Sequence, residues 1–371
     1  MALAESNRRP AEVAAAVRLI AFYLPQFHPI PENDRWWGPG FTEWTNVAKA
    51  RPQFKGHHQP NLPADLGFYD LRLPEARQAQ AELAAAHGLH GFCYYHYWFN
   101  GQRLLERPFN DVVTSGTPDF PFCLCWANET WSRRWLGEET SVLMRQSYSP
   151  EDDAAHASWL AETFSDRRYI QIAGRPLFLI YRPHDLPEPR RTVDTIKSAA
   201  LRVGSGEPYV VGVDAHKPGT DFRVAGFDAT LAFEPQLSAL PGAFGDGFKL
   251  ARLKRNIELG IFNGTTKVYR DVDARALMKR QRSFPFIRTV YVGWDNSPRR
   301  GRDAIVVVDT TPDSFEKALS EAIASHPETS PPDFPIFINA WNEWAEGNHL
   351  EPDQRNGLEY LQRVRKLVVG A

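Results

Sequence analysis

The sequence predicts an α/β fold: a (β/α)8 TIM barrel, one domain with long loops after strands 1 and 6. Three observations carry that reading. Eight short apolar runs recur at fairly even intervals, helical patterns lie between them, and polar or aromatic residues cluster just past the runs. The runs cover 18–24, 89–99, 121–126, 175–181, 209–214, 229–233, 288–294 and 334–341. They are near-continuous rather than alternating, the pattern of parallel strands buried on both faces.

Between them, 74–87 is Ala-rich and closed by Gly88, a residue suited to the left-handed turn that ends a helix. Ser149-Pro150-Glu151-Asp152-Asp153 opens another helix with a cap, a proline and three acids in the first turn. Thr311-Pro312-Asp313-Ser314 opens a third, and 357–367 closes the chain. Strands and helices thus alternate eight times. No repeat or linker divides the chain, so 1–17 is expected to be a poorly ordered extension and 18–371 the catalytic barrel. Two connections, 25–73 and 233–271, are too long for plain turns. In such a barrel the loops after the strands form the face on which active sites are built.

Composition narrows the function classes. In 371 residues, 43 Lys and Arg face 45 Asp and Glu, which leaves no electrostatic footprint for nucleic acid. Cys93, Cys123 and Cys125 cannot form a disulfide framework. Cys123 and Cys125 point the same way from one strand and read as small buried hydrophobes of a reducing compartment. There is no secretory signal and no run of 18 apolar residues, so a cytoplasmic protein without a membrane span is expected. The unusual entry is eleven Trp. Such planes either fill a large core or hold the apolar faces of sugar rings. Nine of them, at 36, 37, 44, 98, 126, 131, 294, 341 and 344, fall in or beside strand-end loops, leaving Trp135 and Trp159 elsewhere. That clustering favours sugar.

The strongest chemical cluster is Asn342-Glu343-Trp344-Ala345-Glu346-Gly347, directly after the eighth strand. Two carboxylates in an aromatic surround can have their pKa values pushed apart, one ionised and one protonated. Glycoside cleavage needs that division of labour. Acids decorating a helix N-terminus are the plainer alternative. The third strand ends in Trp126-Ala127-Asn128-Glu129, suited either to sugar hydroxyls or to a solvent-facing loop. On the second strand, alternation sends either Tyr95, Tyr97 and Phe99 or Tyr94, His96 and Trp98 inward. Glu234 closes the sixth strand, and Trp294 and Asp295 the seventh. The first long loop adds Gln26, His28, Trp36, Trp37, Glu43 and Trp44. With Tyr23 and Trp344, these form the expected sugar-binding set.

No metal or other cofactor is expected. His57-His58 lacks a spaced partner for zinc, and Gly204-Ser205-Gly206 precedes a strand instead of following one. Asp271-Val272-Asp273 could serve a sugar transferase as metal acids, but reads better as helix capping.

Several stretches together resemble the WbsX-type family, often labelled as glycosyltransferases of surface-polysaccharide clusters. They are AFYLPQFHPIPENDRWWGPGFTEWTNV, GFCYYHYWFNG, WANETWSRRW, GRPLFLIYRP, GWDNSPRRG and NAWNEWAEGNHLEPD. That family is itself similar to glycoside hydrolase family 99, the retaining endo-α-mannosidases. The resemblance implies a barrel and a catalytic pair, Glu343 and Glu346. Glu343 would assist the substrate's own 2-hydroxyl as it attacks the anomeric carbon. Glu346 would protonate the leaving oxygen and later activate water. The implied function is a retaining glycoside hydrolase acting on a glycan, with a glycosyltransferase of polysaccharide assembly as the alternative. The first loop is not recognisably that of the mannosidases.

Overall fold

The computed structural model describes residues 17–133, 138–244, 257, 265–279, 282–325 and 334–370. Most of the predicted N-terminal extension, part of the second long loop (245–264 apart from 257) and Trp135 therefore lie outside the described residues.

Eight parallel strands close into a barrel: β1 Arg18–Tyr23, β2 Gly91–Phe99, β3 Phe122–Trp126, β4 Arg175–Ile180, β5 Tyr209–Asp214, β6 Ala229–Ala232, β7 Ile287–Tyr291 and β8 Pro335–Asn339. Closure is made by β1, which pairs with β2 on one side (Phe22 opposite Cys93) and β8 on the other (Ile20 opposite Phe337). Each strand falls on a predicted apolar run. The boundaries differ at both starts and ends, by one to three residues.

Helices Pro74–Ala86, Arg107–Ser115, Pro150–Thr163, Pro189–Val203, Asp271–Met278, Pro312–Ala324 and Glu359–Val368 cover the barrel. Ser149 caps its helix as expected, its hydroxyl accepting from the Asp152 amide at 3.1 Å. The eightfold alternation fails at one place. Between β5 and β6 there is only a 3-10 turn, Phe222–Ala225. The segment holds Pro218 and Gly219, and its Phe222 ring lies directly on the strand: a Cβ at Gly212 would stand 2.6 Å from that ring. The ring fills the place a helix would cover.

Large and small side chains share the barrel interior. Phe22 packs on Tyr95, Phe233 and Phe337 at centroid distances of 5.5, 5.4 and 5.2 Å. The buried thiols of Cys93, Cys123 and Cys125 occupy the thinner positions, none of them in a disulfide. This resolves the alternation on β2. Tyr95 points into the barrel, whereas Tyr94 packs outward on Tyr23 and Phe109. His96 and Trp98 likewise face outward, against His156 and Trp159 of the neighbouring helix.

At the C-terminal end, the first long loop forms helices Pro31–Trp37 and Glu43–Lys49 and its own aromatic core. Trp44 lies within 5.4 Å of Phe27, Tyr69 and Trp344, ring centroid to ring centroid. A hairpin, Trp131–Arg133 with Glu138–Met144, and a small sheet of Lys267–Arg270, Ile305–Val308 and Trp294–Asp295 complete that face. No helix among the described residues is long and apolar enough to cross a membrane.

Candidate active site

A cavity of about 410 Å³ opens at the C-terminal end of the barrel. Its lining comes from the ends of every barrel strand except β5 and from the loops around them, and includes Gln26, Asn33, Trp37, Tyr95, Tyr97, Glu129, Trp131, Tyr181, Arg182, Trp294, Arg299, Glu343 and Glu346.

Glu343 and Glu346 follow β8 on a tight excursion. Asn342–Glu343 pairs antiparallel with Asn348–His349, and a 3-10 turn, Trp344–Glu346, links them through Gly347. Gly347 has φ +58°, and a Cβ there would press to 3.0 Å on Asp295. Glycine permits both the turn and the approach. This geometry brings both carboxylates to one cation. Arg299 donates from Nη2 to Glu343 (3.0 Å), from Nη1 to Glu346 (2.6 Å) and from Nε to Glu43 (2.7 Å). The guanidinium is buried, with 7% of its side chain exposed. Burial raises Glu343 to about 8 despite Arg299, and burial also raises Glu346. A single guanidinium between neighbouring carboxylates favours one ionised and one protonated member, and they titrate as a unit.

The opposite wall holds a second cluster. Arg182 donates to Glu129 and to Asp185, both at 2.6 Å. Burial alone would raise Glu129, but its bonds with His216 and Arg182 more than offset this and hold it at about 2. Several buried polar atoms among the lining residues have no partner among the described residues: both amide atoms of Asn33, Nε1 of Trp294 and Oδ1 of Asn339. Buried polar groups are nearly always satisfied, so this set suits a hydroxyl-rich ligand or ordered water.

Of the expected sugar-binding residues, Gln26, Trp37, Tyr95, Tyr97, Glu129 and Trp294 line the cavity, and Trp36 stands behind it, edge-on to Trp131. The others stand elsewhere. Asn342 joins the ends of β1 and β8, accepting from the Leu24 amide (2.7 Å) and donating to its carbonyl (3.0 Å). Asn128 does the same between β3 and β4 through the backbone of Arg182. Asp295 accepts from Gln59 and His57, and His57 Nδ1 accepts from the Gln53 amide, so the proton shared with Asp295 sits on Nε2. Glu43 is wholly buried on Arg299. Tyr23, His28, His96, Trp44, Trp126 and Trp344 are core residues. Glu234 lies at the end of β6 and is raised to about 7 by burial. The Trp excess is accordingly divided: Trp37, Trp131 and Trp294 face the cavity, while Trp126, Trp341 and Trp344 fill the core at no more than 1% exposure.

Sequence reasoning missed Arg299, Arg182, Asn33, Tyr181 and Glu351. Arg299 lies in the quoted GWDNSPRRG stretch, but nothing in the pattern chooses it over Arg300. Glu351 sits behind the acid pair, accepting from Trp344 Nε1 (2.6 Å), Tyr69 (2.8 Å) and Gln80 (2.6 Å), and burial raises it to about 7. Among the described residues, no group of three or more His, Cys, Asp or Glu is arranged to hold a metal ion.

Comparison with solved structures gives the same architecture. An endo-α-mannosidase of glycoside hydrolase family 99 from Bacteroides thetaiotaomicron, in complex with bis-tris propane, aligns with a TM-score of 0.54 at 17% identity, over 95% of this chain and 96% of that one. A protein described as glycoside hydrolase-like aligns with a TM-score of 0.59 at 12% identity, over 99% and 96%. At these identities the likeness concerns the fold. In sequence, the uncharacterised protein WxcX of Xanthomonas campestris pv. campestris is 42% identical over 357 residues, 95% of this chain. The chain spans about half the length of that relative, the match covering 50% of it. The profile of the family described as Glycosyltransferase WbsX matches residues 19–364, and the chain belongs to that family.

Proposed function

We propose that this protein is a carbohydrate-active enzyme that cleaves or transfers a glycosidic bond of a bacterial polysaccharide or oligosaccharide with retention, residues 18–371 forming the catalytic unit. The observation that carries the reading is the joint hold of Arg299 on Glu343 and Glu346 in an aromatic-walled cavity. Burial favours Glu343 as carrier of the pair's one proton, so the reaction requires that proton to shift to Glu346. In the first step Glu343, then ionised, takes the proton of the sugar's 2-hydroxyl as that oxygen attacks the anomeric carbon. Glu346, protonated, gives its proton to the departing oxygen. In the second step water attacks the anomeric carbon, Glu346 takes its proton, and Glu343 returns the other to the 2-oxygen. One proton resident in the pair is the starting state both steps require. Arg299 stabilises whichever carboxylate is ionised.

The decisive experiment is a screen of bacterial surface glycans with wild type, Glu343→Gln and Glu346→Gln side by side. Loss of the proton-transferring group is expected to lower turnover about 10²–10⁴-fold. Unchanged turnover in Glu346→Gln would sink the assignment. The family's description favours a second reading, a glycosyltransferase of polysaccharide assembly. Calorimetric binding of a nucleotide sugar, without glycan cleavage, would select it.

A further inference from the structure

The cavity contains two cations and more anions than they can neutralise. Among the described lining residues the positive side chains are Arg182 and Arg299, and the negative ones are Glu129, Asp185, Glu343 and Glu346. Glu43, on Arg299, adds another carboxylate just behind the wall. Even with one proton on the acid pair, the balance is negative.

The guanidinium groups are also turned toward these acids. All three nitrogens of Arg299 are committed to carboxylates. Arg182 is committed through Nε to Asp185 and through Nη1 to Glu129. Each of those bonds uses one oxygen of its acid. Among the described residues, the cavity wall therefore carries more carboxylate than guanidinium charge.

A second feature points to a ligand beside the acids. Asn33 is wholly buried, lines the cavity and has no partner for either amide atom among the described residues. A lining of this kind satisfies hydroxyl and ammonium groups, which donate, and leaves a sugar carboxylate or a phosphate facing uncompensated like charge.

We propose that the cavity ranks ligands by charge, taking amine-bearing polyols ahead of neutral ones and excluding acidic sugars and pyrophosphate. The class of glycan it admits at the acid pair is thus neutral or amino-sugar, without uronic acid. This rests on the reading of the cavity as a glycan site, but its test uses unreactive probes, so it can fail while turnover by the acid pair stands, or hold where turnover fails.

The probes are bis-tris propane, a polyol with two amines; sorbitol, neutral; glucuronate; and inorganic pyrophosphate. Binding is measured by calorimetry at constant ionic strength and pH 7. Bis-tris propane is expected to bind more tightly than sorbitol. Glucuronate and pyrophosphate are expected neither to bind nor to displace it. Glu129→Gln, and independently Asp185→Asn, should weaken bis-tris propane about tenfold, the effect of removing one nearby charge at roughly 1.4 kcal/mol. Thermal melts establish that each variant is folded. Absence of bis-tris propane binding, binding of pyrophosphate or glucuronate at comparable affinity, or unchanged affinity in both folded variants would overturn the proposal.

Discussion

Arg299 meets Glu43, Glu343 and Glu346 with one positive charge, inside a site from which water is largely withdrawn. Such a cluster is held together by its cation, because removing it leaves several buried acids facing one another. Arg299→Met is expected to cost about 3–5 kcal/mol at pH 8, the range for breaking a buried ion pair. At pH 5 the loss should be smaller, since Glu343 and Glu346 have raised pKa values and take up protons there. Arg299→Lys should rescue little, as one ammonium cannot present three donors in a fork. Urea denaturation at both pH values checks this; an equal loss at pH 5 and pH 8 would remove the electrostatic account. The same scale explains why Asn128 and Asn342 read as sugar-binding in the sequence while the structure shows them bonded to backbone. An amide at a strand end carries the right groups for a hydroxyl, and equally the right groups for the backbone of the next strand, which is where both are spent.

Among the elements, the first long loop decides the shape of the site. It crosses the barrel mouth and is tied down on the far side, where Asp295 accepts from Gln59 and shares a proton with His57 at 2.7 Å. Asp295 also accepts from the Ser297 amide at 2.9 Å, at the start of the short helix that carries Arg299. One carboxylate therefore ties the loop to the arginine's helix. Asp295→Ala leaves two buried groups of the loop without their acceptor, each worth about 1–3 kcal/mol. Faster tryptic cleavage at the exposed Lys55 is the expected result, read on a gel before any global melting. Cleavage at the wild-type rate would mean that the aromatic core of Trp44 and Tyr69 holds the loop without this latch. The loop's length and aromatic density were legible in the sequence, and so was its place at the functional end. Its anchors were not: His57 and Asp295 lie 238 positions apart, and neither shows a spacing that marks the other.

For the whole molecule, the barrel was readable because each strand is buried on two faces and so appears as a continuous apolar run. The β5–β6 connection shows the limit, since a helix was inferred from the alternation around it instead of from residues 215–228. What hydropathy cannot reveal is how many ionisable groups the fold buries, and these set how stability responds to pH. Burial raises Glu234 and Glu351 to about 7 and Glu343 to about 8, and raises Glu346 as well. A raised carboxyl stays protonated in the fold after the unfolded chain has released its proton. Its contribution is present below the ordinary glutamate value of 4.5 and lost as pH rises through the folded value. The buried histidines run the other way. Burial lowers His28 and His90 to about 4 and His156 to about 3, and lowers His96 too, so the unfolded chain gains protons below 6.5 that the fold refuses. Between pH 4.5 and 6.5 the two sets oppose each other, and the melting temperature should stay nearly level. Above 6.5 the histidines drop out and only the carboxyls act, so Tm should fall steadily toward pH 8. Below about 4 it should fall again, as Asp353 and Glu129, held near 2, are forced to protonate. Calorimetric melts from pH 3.5 to 8.5 test the profile, and Glu351→Gln should flatten its alkaline limb. A Tm that rises from pH 6.5 to 8 would show that these acids are ionised in the fold, and the one-proton starting state of the pair would lose its physical basis.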